Sequence, residues 1–136
     1  MHVNAGVNIH NRFDIVVTDA RTGEVKQKAV AKNIVLDTCF TRLVNFQTFF
    51  THIHFGTGSG TIDPTRTTLF TWLGQKTAVD IELIKDVPVA QWRRNIVLNP
   101  DEFVGSTLTE VGNAYGTAGS NITTHALIED SEGNPI

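Results

Sequence analysis

Cysteine is nearly absent from this chain. The single Cys39 excludes an intrachain disulfide and any cysteine-based metal cluster. Basic charge is scarce too: Lys and Arg number 11 against 14 Asp and Glu, a net charge of -3. A chain that gripped nucleic acid or an anionic membrane would carry a basic stripe, so neither partner is expected. No apolar run approaches the ~20 residues of a membrane-spanning helix. The opening residues, Met1 to Asn8, have neither the basic nor the apolar segment of a secretion signal. Internal repeats and low-complexity tracts are lacking as well.

What is there is ordinary globular material. A length of 136 residues suits one domain. With 40% hydrophobic and 18% charged residues, the chain reads as a packed core rather than a disordered segment.

Alternation dominates the pattern. Val3, Ala5, Val7 and Ile9 alternate with polar or glycine positions, and Phe13, Ile15 and Val17 resume the same phase. Residues 1–11 read as an extended arm with too little bulk to hold itself down, and Val3, Val7 and Ile9 are its expected partner-binding side chains. Asp19 to Gly23 is turn chemistry. In the following strand Val25, Ala29 and Ala31 oppose Lys26, Lys28 and Lys32. Val30 and Ile34 fall out of phase, which predicts a bulge or a change of partner.

Asp37 has the character of an N-cap. Cys39, Leu43, Phe46 and Phe50 then recur at helical spacing, predicting one amphipathic helix over about Thr38 to Phe50. Alternation returns over Gln75 to Asp86, Ala90 to Leu98, Leu108 to Tyr115 and Ile122 to Glu129. A hairpin loop at 116–121 joins the last two. The final strand, followed by turn residues, is expected to expose an edge. Together these segments predict a mostly β protein: an antiparallel β-sandwich with one main α-helix, filling a single domain over 12–136.

The stretch from His52 to Leu73 carries the most distinctive residues. Gly56, Gly58 and Gly60 alternate, then Asp63-Pro64 offers the chemistry of a helix start. The glycines lack the Gly-Lys-Ser/Thr ending of a phosphate loop. The expected role of Gly56, Gly58, Gly60, Asp63 and Pro64 is therefore a structural turn, with each glycine taking a backbone angle a side chain would forbid. Asp63 would cap a short turn begun by Pro64, and Leu69 and Phe70 would return the chain to the core.

His52 and His54 share a strand face, but a metal site needs more ligands than this pair. His2, His10 and His125 are scattered. The serines lie in loops without a nucleophile elbow. The acidic pairs Asp101-Glu102 and Glu129-Asp130 are adjacent rather than spaced across a cleft. No catalytic residue, metal ligand or cofactor is expected.

Three segments, taken in order, resemble a broad group of bacteriophage tail, baseplate and fibre-attachment proteins, the tail-collar fibre proteins among them. They are Asn33-Ile-Val-Leu-Asp37 leading into a helix; His54-Phe-Gly-Thr-Gly-Ser-Gly-Thr-Ile-Asp-Pro64 with Thr68-Leu69 following; and Leu108-Thr-Glu-Val-Gly112 followed by a hairpin and Ala126-Leu-Ile128. The resemblance covers most of Asn33 to Glu129. It implies a non-enzymatic virion part that docks onto a larger assembly, as a homo-oligomer and with other virion proteins, through extended arms and strand edges. Such a protein is assembled in the host cytoplasm. The competing classes are a host-surface or glycan-binding module, a head or collar decoration protein, and a small tail-borne glycan hydrolase.

Overall fold

The computed structural model describes residues 1, 9–77, 80–86, 89–130, 132 and 134. Among the described residues, nine strands and one helix follow in the order β1 (Arg12–Thr18), β2 (Val25–Lys32), β3 (Ile34–Val35), α1 (Asp37–Val44), β4 (His52–Gly56), β5 (Trp72–Thr77), β6 (Asp80–Asp86), β7 (Val89–Asn95), β8 (Glu110–Ala114) and β9 (Thr124–Leu127). They form a β1-β2 hairpin, a five-stranded sheet in the order β3-β9-β8-β4-β5, and a β6-β7 ribbon. Every strand pair among the described residues is antiparallel. The architecture is a mostly antiparallel β-sandwich with one main helix.

The β1-β2 hairpin closes at the turn that the sequence marks. The Asp19 carboxylate accepts from the Arg21 and Thr22 N–H groups at 2.8 and 3.2 Å. Gly23, at φ 73°, takes the left-handed position. The inner face of this hairpin presents Phe13, Ile15, Ala29 and Ala31 to Ile53, Phe55, Val111 and Ala126 of the sheet. Small alanines opposite bulky rings let the two layers approach closely. The outer face of β2 carries Lys26, Lys28 and Lys32, and Val30 lies exposed among them. The change of partner falls at Asn33: β2 pairs with β1, whereas Ile34 and Val35 pair with His125 and Thr124 of β9.

The other face of the sheet is covered by the loop 57–71 and the entry to α1. Leu36, Leu69, Ala114 and Ile122 form a second buried cluster there. Asp37 N–H donates to the Pro64 carbonyl at 2.9 Å, tying helix start to loop. Cys39, in the first turn of the helix, is buried, and desolvation pushes its thiol up to about 11.

Several boundaries differ from the sequence reading. Asp37 is the first helical residue; Leu36 holds the N-cap position, with no side-chain cap. Asp37 instead places its charge in the first turn, where the helix dipole favours it. The helix ends at Val44 rather than Phe50. Phe46 adopts φ 55°, its N–H bonds to Leu43 O, and the Gln47 N–H bonds to Arg42 O. That pair of bonds is a Schellman stop, which ordinarily uses glycine at the position of Phe46. Phe46 consequently points into solvent, 99% exposed, instead of extending the core stripe.

The alternation over Gln75 to Asp86 divides between β5 and β6, which lie in different sheets. Finally, β9 is not a sheet edge. It runs between β8 and β3, and the sheet's outer strands are β3 and β5.

Candidate functional site

The glycine loop and the Thr109-Glu110-Val111-Gly112 strand are two halves of one buried site. Glu110 has no exposed surface. Its Oε1 accepts from the Gly58 and Thr71 N–H groups at 2.9 and 2.7 Å. Its Oε2 accepts from the Phe70 N–H at 2.8 Å and faces His125 Nε2 at 2.8 Å. Burial alone would raise this carboxyl. The His125 bond and the three backbone N–H groups outweigh it and pull the carboxyl down to about 2.

The three loop N–H groups converge as they would on a bound phosphate. Here the anion is the chain's own carboxylate, and it fills the cradle. Close approach explains the glycines. A Cβ on Gly56 would collide with Glu110 Oε1 and Thr71 O, and one on Gly58 with Phe70 Cβ. Of the three loop glycines only Gly60, at φ 152°, needs an angle closed to other residues. At Gly56 and Gly58 the requirement is space rather than angle. Gly112 is confined in the same way by the carbonyl of Thr124.

Beyond the cradle the loop makes its own turn. Asp63 Oδ1 accepts from Thr65 N–H at 2.8 Å and from the Thr65 hydroxyl at 2.6 Å, and Arg66 N–H reaches Asp63 O at 3.1 Å. Thr65 bonds hold the Asp63 carboxyl below its usual range. The chain re-enters the core at Leu69. The Phe70 ring then lies against His125, centroids 5.1 Å apart, with the Arg66 guanidinium 3.9 Å above the Phe70 ring centroid.

His54 occupies a second buried position on the same sheet face. Its Nε2 lies 2.8 Å from the Gly116 carbonyl, and its Nδ1 accepts from the Trp72 indole N–H at 3.1 Å. These partners assign the neutral ring with its proton on Nε2. Burial is the main cause of its lowered pKa, with the charge of His52 adding to it and the Gly116 bond opposing. Both ring nitrogens are in use, so neither has a free lone pair for a metal. His52 turns instead to the Thr51 hydroxyl, 2.7 Å from its Nδ1. Among the described residues no group of three or more His, Cys, Asp or Glu side chains is placed to hold a metal ion.

The first of the three motif segments joins the same framework. Asn33 Nδ2 donates to Thr124 Oγ1 at 3.1 Å, and Thr124 Oγ1 also accepts the Asn113 N–H at 3.1 Å. Of the arm side chains, Val3 and Val7 lie outside the described residues, and Ile9 is half-buried.

Sequence reasoning missed the Glu110–His125 pair and, separately, the Trp72 bond to His54. A faint signal existed for Glu110: it shares strand phase with Gly112 and Ala114, so it lies on a face that has no room for solvent. Nothing in the sequence pairs His125 with it. Among protein families, curated proteins and solved structures, none matches this chain.

Proposed function

We propose that this chain is a non-enzymatic structural protein of a bacteriophage virion, a tail, baseplate or fibre-attachment component that works as a repeated subunit among other virion proteins. The observation that carries the reading is the Glu110 latch. The segments that resemble tail proteins lie far apart in sequence, yet Glu110 bonds the Gly58 loop, and Asn33 and Asn113 meet on Thr124. This supports taking the resemblance as one of fold rather than of isolated motifs.

The chemistry of the site favours a scaffold role. Glu110 and His125 are a carboxylate–imidazole pair, a combination that serves general acid–base catalysis when a substrate reaches it. Here neither residue is exposed, and the carboxylate is engaged by four donors. Its charge is spent on holding backbone.

The test is location. Tailed particles purified from the source, or from a host expressing the whole gene cluster, are expected to contain this chain at a fixed copy number by quantitative mass spectrometry. Electron microscopy should then place it in the tail or baseplate. Recovery of the chain only from the particle-free fraction would sink the proposal.

A further inference from the structure

Two phenylalanines hold left-handed backbone angles that bulky side chains rarely adopt: Phe46 at φ 55° and Phe103 at φ 56°. Their surroundings differ. The Phe103 ring packs on Phe55, centroids 5.5 Å apart, and lies over Gly74, where a Cβ would come within 2.6 Å of it. Packing within the chain compensates its backbone. Phe46 is 99% exposed and has no such packing among the described residues.

Phe46 does not stand alone. Phe40 and Val44, one helical turn apart on α1, are 46% and 77% exposed. Past Phe46 the chain leads to Phe49, whose ring stacks on Trp92 of β7 at 5.3 Å. Trp92 is itself 58% exposed, beside its cross-strand partner Leu83 at 54%.

We infer that the apolar surface built on Phe40, Val44 and Phe46, and continued by Trp92 and Leu83, docks against the same surface of a second copy of this chain. Area favours this occupant. At about 150–250 Å² per aromatic side chain, the five residues leave on the order of 600 Å² outside, close to the ~800 Å² that each partner contributes to a standard interface. Charge favours it as well. From Leu43 to Thr51 the chain carries no charged residue; the neighbouring Arg42 is engaged by the Tyr115 ring and the Thr48 carbonyl, and Arg94, on the strand face of Trp92, by the Phe50 ring. Two copies that each carry a net charge of -3 repel least where the facing surfaces are neutral.

This deepens the assembly reading and rests on its expectation of a repeated subunit, but it is tested on the purified chain alone. Sedimentation velocity over about 1–100 μM, the weak end for interfaces of this size, should show a concentration-dependent dimer. Phe46→Gly removes the ring and suits the left-handed backbone, so the variant should fold at least as well. Its dimer should be weaker by ~10-fold or more, as for the loss of an interface anchor. Val44→Gln, at an exposed helix position, should weaken it in the same direction. A wild-type chain that stays monomeric throughout, or a Phe46→Gly variant that dimerises undiminished, overturns the inference. Monomeric chain that nevertheless enters particles overturns this inference and leaves the assembly reading intact. A dimer in a chain absent from particles does the reverse.

Discussion

The Oε2 atom of Glu110 and the Nε2 atom of His125 lie 2.8 Å apart with no exposed surface on either residue. With Nε2–H donating, His125 Nδ1 has no partner among the described residues. The pair is anchored to the glycine loop through Glu110 and packed against the Phe70 ring through His125. Protonating Glu110 would replace an acceptor by a donor opposite N–H groups and break the arrangement.

Acid should accordingly unfold the protein in a defined window. The folded-state carboxyl sits at about 2, below its ordinary value of 4.5. A depressed carboxyl contributes stability that is present above its unfolded value and is lost as pH falls through the folded one. That difference corresponds to about 3 kcal/mol, fading between roughly pH 5 and pH 2. Urea midpoints measured across this range should fall steeply in the wild type. In Glu110→Gln the slope should flatten, with the neutral-pH stability lower by roughly 3–5 kcal/mol because one acceptor oxygen becomes an NH2 donor facing buried donors and the charge is lost.

Gly58 and Gly23 offer a matched comparison of space against angle. A Cβ on Gly58 meets Phe70 Cβ and lies 2.7 Å from Thr71 N, whereas one on Gly23, at φ 73°, has nothing within 4 Å. Gly58→Ala should cost about 2–4 kcal/mol through displacement of the loop from Glu110. Gly23→Ala should cost about 1 kcal/mol through backbone strain alone. Equal losses in thermal melts would contradict the assignment.

Trp72→Phe keeps a ring against Gly119, where a Cβ would sit 3.2 Å from the indole, but deletes the donor to His54. The loss should be about 1–2 kcal/mol. The lowered pKa of His54 favours its neutral form in the fold, so this residue's contribution is complete above the ordinary histidine value and declines as pH falls below it. Without the indole donor on Nδ1 the ring should protonate more readily. Its titration, followed by NMR, should shift upward in the variant; an unchanged titration would show that the Trp72 bond does not set the tautomer.

Phe46→Gly should raise the stability of the dilute, monomeric chain by about 1 kcal/mol, because glycine accepts the left-handed Schellman position without strain. Chemical denaturation well below the association range checks this, since dimer formation would otherwise add its own stabilisation.

The β framework was legible wherever one strand face is wet. Ala29 and Ala31 against Lys26, Lys28 and Lys32 showed their phase, and Ile34 marked the change of partner. The helix stop was not legible, because Phe46 sits where glycine would ordinarily announce it. The position of β9 was misread for a related reason: β3 is two residues long, too short to show alternation, yet it covers that strand's flank. The site was legible in halves. Glycines at alternate positions signalled a tight loop, but the carboxylate that the loop closes on lies about forty to fifty residues away. Local spacing carries no information about such a pairing.

Cys39 gives the molecule an internal clock. Its thiol is buried at the base of α1 and raised to about 11. At neutral pH only about one molecule in ten thousand would hold the reactive thiolate, and that one is shielded from reagent. Labelling by a thiol reagent should therefore wait for the chain around α1 to open locally. Its rate then counts those openings one by one, in a chain with no second thiol to confuse the record.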